Sequence, residues 1–185
     1  VKTGAADENR EIGNEFRASP RLGYRFGRPL RFEVFGTYRF KRFQNTERNQ
    51  TIRYLGASMR WQPWSWGRWE LSYRYEDSES LDPGYAYIQP RAEIGYELFV
   101  GRRTRVILEL GYRPRRYTKE LVETPDGEVL REDERWIPSA LWAHLLRWGQ
   151  ELRIEYEYQA RSSNDPEEEF DAHRVELSLR WPLVR

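Results

Sequence analysis

Two side chains in this sequence, His144 and His173, carry the ring that serves most often as a general base near neutral pH. His144 falls on the apolar side of its segment. His173 invites pairing with Ser178, but in an extended chain an odd separation puts the two on opposite faces, beyond the reach of a nucleophile and its base. Cysteine is absent, which removes thiolate catalysis, disulfides and Cys-based metal sites. Carboxylate pairs such as Glu155 and Glu157 recur on every charged stretch, so their spacing singles out no acid and base. No glycine-rich phosphate loop occurs. The reading is a protein that is not an enzyme and that holds neither metal nor cofactor. The chemistry left is ion pairing. Every basic residue except Lys2, Lys41 and Lys119 is Arg, whose planar fork matches a carboxylate bidentately.

Those ions stand at every second position of otherwise oily segments, the period of a β-strand. Phe16, Leu22, Tyr24 and Phe26 alternate with Arg17, Arg21 and Arg25. Leu30, Phe32, Val34, Tyr38 and Phe40 alternate with Arg31, Glu33 and Arg39. Leu55, Met59 and Trp61 oppose Tyr54 and Arg60, and Trp69, Leu71, Tyr73 and Tyr75 oppose Glu70 and Arg74. Ile94, Tyr96, Leu98 and Val100 back onto Arg91, Glu93 and Glu97. Val106, Leu108, Leu110 and Tyr112 back onto Arg105, Glu109 and Arg113. Leu152, Ile154, Tyr156 and Tyr158 face away from Arg153, Glu155 and Glu157. Val175, Leu177, Leu179 and Trp181 face away from Glu176 and Arg180. A ninth segment, 135–148, is apolar on both sides (Trp136, Trp142 and Trp148 against Ile137, Leu141 and Leu145), and Ser139 after Pro138 also suits a helix cap. A strand is expected there, because Trp148-Gly149-Gln150 turns directly into the next segment.

The charge balance narrows the partners. Charged residues make up 33% of the 185, yet 31 basic and 30 acidic side chains leave a net charge of +1. Because the two signs alternate along the same segments, no basic stripe for nucleic acid forms. No apolar run approaches the roughly 20 residues of a spanning helix. Mean hydropathy is −0.93, which excludes little for a barrel, where alternate residues alone meet lipid.

Alternation by itself also fits a soluble sheet with one wet face. Three features favour a membrane. The segments reach about the 9–11 residues of a tilted spanning strand. Trp61, Trp64, Trp66, Trp69, Trp148 and Trp181 gather at one end of the apolar face, and Tyr38, Tyr73, Tyr75, Tyr112, Tyr156 and Tyr158 lie toward the other, as two interfacial girdles. Short turns near Gly27, 65–67, Gly101 and Gly149 alternate with longer polar loops at 44–49, 77–84, 121–134 and 162–169, and a simple meander closes with no free edge.

Over residues 14–183 this pattern resembles the outer-membrane β-barrel proteins of Gram-negative bacteria. The resemblance implies an all-β, antiparallel, up-and-down transmembrane barrel in the bacterial outer membrane, with nine strands visible, so about ten in all or the C-terminal part of a larger barrel. Residues 1–13 would form an extracellular or N-terminal extension and 14–185 the barrel, with Trp181 as the terminal aromatic. With the apolar face toward lipid, the Arg/Glu face lines the interior. The expected function is a porin-like channel for small hydrophilic solutes or the membrane-embedded subunit of an envelope complex; the alternatives are a non-conducting anchor and a soluble binding barrel. Expected partners are outer-membrane lipid and other envelope proteins or further barrel strands, and no nucleic acid.

Overall fold

In a computed structural model of the chain, residues 12–43, 45–125 and 127–181 are described; the extension expected at 1–13 lies almost wholly outside them. Alternation becomes strand wherever it occurs: β1 (Ile12–Ala18), β2 (Arg21–Phe26), β3 (Leu30–Phe43), β4 (Gln50–Trp64), β5 (Gly67–Ser80), β6 (Tyr87–Val100), β7 (Thr104–Tyr112), β8 (Arg115–Thr124), β9 (Gly127–Leu145), β10 (Glu151–Ser163) and β11 (Phe170–Arg180). Among the described residues the helical content is three single 3-10 turns, Thr46–Arg48, Pro83–Tyr85 and Pro166–Glu168.

Eleven elements fill nine positions in one antiparallel sheet. β1 and β2 pair with the same strand in a single register, Ala18 opposite Tyr38 and Arg21 opposite Phe35. Pro20 divides them because it has no N–H to give the ladder, although its carbonyl still accepts from Gly36 N at 3.1 Å. In the same way β7 and β8 both lie between β6 and β9, divided at Pro114. The nine segments of the sequence are thus nine positions, and each is hydrogen-bonded to the next along the chain. The ambiguous segment is strand: Ser139 pairs with Glu109 on one side and Glu157 on the other, and caps no helix. Gly27, Gly101 and Gly149 take φ of +66°, +66° and +84° in three of the short turns, where a Cβ would be strained.

The stretch 121–134 departs from expectation. Its polar composition reads as a loop, but it forms a hairpin in which Leu121 opposes Leu130 and Val122 opposes Val129. The ladder persists because the backbone finds partners on both flanks: Thr118 N donates to Ala86 O, and Asn164 N to Glu132 O. Asp77 to Ser80 and Ser162 to Ser163, also expected in loops, extend β5 and β10.

The burial is inverted relative to a soluble protein. Val175, Leu177 and Leu108 are 71%, 70% and 52% exposed, whereas Gln89, Asp133, Ser78 and Glu97 are buried. Apolar side chains that are buried, such as Ile52, Leu141 and Ala143, stand on the ionic face. A soluble sheet would hide its oily face and wet its ionic one; the reverse is what a bilayer demands. The sheet curls with the ionic face inside, enclosing a cavity of about 560 Å³ bounded by residues from β2 through to β10. Among the described residues no ladder joins β11 to β1 or β2. With nine antiparallel positions, these two outermost strands run in the same direction.

Candidate functional site: the concave ionic wall

Because each register is fixed, the inward side chains of successive strands form continuous rows. One row reads Arg25, Arg31, Arg60, Glu70, Gly95, Glu109, Ser139, Glu157, Arg174 from one edge of the sheet to the other. A second reads Arg68, Glu97, Ile107, Leu141, Glu155, Glu176. Every charged residue expected to line the interior stands on this concave face, Arg17, Arg21, Arg39, Arg74, Arg91, Glu93, Arg105, Arg113, Arg153 and Arg180 included.

The two signs are unevenly spread. On the side of β1 to β4 the wall is basic. Glu33 holds both Arg21 and Arg31 at 3.2 Å, Glu15 takes Arg39 through two contacts of 2.8 and 2.6 Å, and Arg17 reaches the Tyr54 hydroxyl at 3.3 Å. Arg25 keeps no ion pair among the described residues. On the side of β7 to β11, Glu109, Glu155 and Glu157 have no ion-pair partner among the described residues, and Glu155 lies directly opposite Glu176, an arrangement that repels.

Between the sectors runs a bridged zone. Arg60 donates to Glu70 at 2.5 Å and Arg113 to Glu93 at 2.8 Å. Buried Glu97 sits between Arg68 and Arg105, and Arg105 continues to Glu151 at 2.9 Å. Glu76 gathers Arg91 at 3.4 Å and Arg74 at 3.8 Å. Several pairs lie along one strand at spacing two, such as Arg174 with Glu176 at 2.6 Å and Arg153 with Glu151 at 3.7 Å. Same-face neighbours two apart are about 7 Å from Cα to Cα, within reach of an arginine side chain.

A second ionic cluster, not anticipated from the sequence, caps the wall above the tyrosine level. Asp133 on β9 accepts from Ser163 Oγ and Arg161 at 2.7 Å each and from Arg131 at 3.2 Å. Arg131 also meets Glu120 at 2.9 Å and Glu168 at 3.1 Å, and its guanidinium lies 4.6 Å from the Tyr117 ring centre. Burial works to raise the Asp133 pKa, but the hydrogen bonds from Ser163, Arg131 and Arg161 prevail and hold it below the usual value. The signal was present in the sequence: Arg131, Asp133 and Arg135 continue the alternation outward from β9.

The apolar face carries the expected aromatics. Trp64 and Trp66 stack at 5.0 Å beside Trp61 at the short-turn end, Trp69 packs on Tyr96 at 4.5 Å, and Trp148 and Trp181 are exposed. Toward the other end Tyr38, Tyr73 and Tyr75 are exposed, Tyr112 packs against Trp136 at 4.5 Å, and Tyr156 and Tyr158 flank His173. His173 is hydrogen-bonded to the Tyr156 hydroxyl at 2.9 Å. Ser178 points to the opposite face, opposite Arg153.

Comparison with known proteins adds a family and a fold. Residues 10–182 match the model of a family described as surface lipoprotein assembly modifier. No curated protein sequence matches the chain. Among solved structures, the fold is similar to that of the siderophore receptor PirA from Pseudomonas aeruginosa, with a TM-score of 0.60 and 13% identity over 91% of this chain and 33% of the receptor. The chain spans about a third of that receptor's length, and a likeness at 13% identity concerns the fold alone.

Proposed function

The chain belongs to the surface lipoprotein assembly modifier family, in the bacterial outer membrane, and from that premise we propose that its curled sheet is the membrane-embedded wall of an apparatus acting on lipoproteins bound for the cell surface. Its partners in this reading are other envelope proteins and outer-membrane lipid. The observation that carries the reading is one concave face, basic on β1 to β4 and holding the unpaired carboxylates Glu109, Glu155 and Glu157 on β7 and β10, presented by a sheet whose two outer edges carry no ladder among the described residues. A polypeptide moving across the bilayer must keep its peptide groups and charges solvated. Unpaired Glu109, Glu155 and Glu157 on one side, and Arg25 on the other, offer such groups polar partners without fixing a single ligand shape. No catalytic step is assigned to the chain.

The test is surface display. Cells carrying the protein and a surface lipoprotein are shaved with protease from outside, and the display of wild type is compared with that of Arg25→Glu/Arg31→Glu and Glu155→Arg/Glu157→Arg. The expected result is a loss of several-fold in each sector variant at unchanged barrel level, and unchanged display in both variants refutes the reading. A diffusion channel has one observation in its favour, the cavity of about 560 Å³. Steady ohmic steps from the purified chain in planar bilayers, with no lipoprotein present, would favour that channel instead.

A further inference from the structure

Arginines on the wall mostly find carboxylates, but those on the short turns do not. Arg28 lies between β2 and β3, Arg102 and Arg103 between β6 and β7, and Arg147 between β9 and β10. All four are exposed, and among the described residues none of their guanidinium groups has an ion pair or a hydrogen bond, the backbone carbonyl of Arg103 alone accepting from Leu145 N. The four short turns, 27–29, 65–66, 101–103 and 146–150, contain no Asp or Glu. The nearest carboxylate along the chain, Glu151, is held by Arg105 and Arg153. The opposite end of the sheet is acidic, with Glu79, Glu123, Glu128 and Glu167 exposed there.

Three of the four free guanidinium groups follow or precede an exposed apolar side chain by one or two residues, Phe26 before Arg28, Val100 before Arg102 and Trp148 after Arg147, and the fourth, Arg103, adjoins Arg102. Such pairs straddle a boundary. The apolar member rests at the ends of the acyl chains, and the guanidinium then reaches the depth of the phosphates. The turns are also spread along the rim. Four sheet positions separate the first from the second and two separate the second from the third, which at strand spacing is about 20 Å and about 10 Å of sheet. A compact protein would meet one patch, whereas a lipid leaflet meets all three turns at once.

We propose that Arg28, Arg102, Arg103 and Arg147 seat the headgroups of anionic phospholipids. Outer-membrane barrels turn their short connections toward the periplasm, so the lipids are those of the periplasmic leaflet, recognised through phosphate by unpaired guanidinium. The inference is independent of what crosses the ionic wall.

The test uses the folded full chain in nanodiscs of equimolar phosphatidylcholine and phosphatidylglycerol, with the lipids that stay bound after transfer to detergent counted by native mass spectrometry. Wild type should retain phosphatidylglycerol over phosphatidylcholine by at least about fivefold, the worth of one basic side chain at an anionic surface. The quadruple variant Arg28→Gln/Arg102→Gln/Arg103→Gln/Arg147→Gln should retain the two equally, with an unchanged β-sheet circular-dichroism signal. Arg147→Gln alone should lose part of the preference, which keeps the proposal open to test if the quadruple variant folds poorly. Arg53→Gln/Arg116→Gln, exposed arginines at the far end that pair with Glu79 and Glu132, should keep it in full. Equal retention by wild type, a preference that survives the quadruple change, or an equal loss in the far-end control overturns the proposal.

Discussion

Exchanging Leu108 for Arg measures directly which face meets lipid. Leu108 lies on β7, four residues from Tyr112 and four from Thr104, on the face opposite Glu109. A strand rises about 3.4 Å per residue, and a tilt of about 40° reduces this to roughly 2.6 Å along the membrane normal. Leu108 is therefore about 10 Å below the tyrosine girdle, close to the centre of an apolar band about 25 Å tall. Arg at that depth costs about 2–4 kcal/mol, whereas near an interface the cost is about 0–1 kcal/mol. Leu108→Arg should thus lose the larger amount and Val100→Arg, at the short-turn end of β6, the smaller, although the two positions are similarly exposed. The assay is reversible urea unfolding from phospholipid vesicles followed by tryptophan fluorescence. With a slope of a few kcal/mol per molar, the Leu108→Arg midpoint should fall by about 1 M or more. Glu109→Gln, on the ionic face, should change it little. Equal costs at Leu108 and Val100, or a Glu109→Gln loss as large as that of Leu108→Arg, would refute the assignment of faces.

Gly56 is a sharp test of packing on the inner wall, because a Cβ there would lie 2.6 Å from the Phe35 ring and 2.8 Å from Tyr73 O. Gly56→Ala should cost about 1–3 kcal/mol by overpacking, and adding Phe35→Leu should recover only part of it in the same unfolding assay, since the Tyr73 carbonyl cannot withdraw. The depressed Asp133 carboxyl stabilises the β8–β9 hairpin above its unfolded pKa of about 3.9, and that contribution is lost as pH falls through the lower folded value. Protease cutting at 124–128 should therefore rise as the pH drops below about 4 in wild type and should lose its pH dependence in Asp133→Asn. Asp133→Ala should loosen the hairpin at neutral pH by about 1–3 kcal/mol, because Arg131 and Arg161 would lose their buried acceptor and keep only Glu120 and Glu168.

Much of the fold was legible because strand period and membrane facing obey the same rule of two. Leu108 and Glu109 could be assigned to opposite faces from spacing alone, and the count of nine survived even where Pro20 and Pro114 cut two positions in half. The hairpin at 121–134 was hidden because Glu, Thr, Pro, Asp and Gly dominate it, and its strand character comes from neighbours, Ala86 and Asn164, that sequence cannot place beside it. The ionic face was legible as a face but not as a network. Whether Arg105 would meet Glu109, four residues along its own strand, or carboxylates on other strands depends on register and side-chain reach, and the structure selects Glu97 and Glu151. Pairs along one strand, such as Arg31 with Glu33, compete with the cross-strand pairs that alternation alone suggests. The free arginines of the turns were visible as residues, but their lack of partners became a property only once the nearest carboxylate along the chain, Glu151, was seen to be held by Arg105 and Arg153.

The shared direction of the two outermost strands sets a rule of parity. Around any ring in which neighbours alternate up and down, the number of staves is even. A block of nine placed beside a copy of itself, turned about an axis along the membrane normal, would meet that copy through two strands of like sense at every junction. Identical blocks made of the nine described positions alone therefore cannot form an all-antiparallel hoop. Any polypeptide that bridges β11 to β1 and β2 by such pairing contributes an odd number of strands, and the first and last of them run opposite to the rims they join.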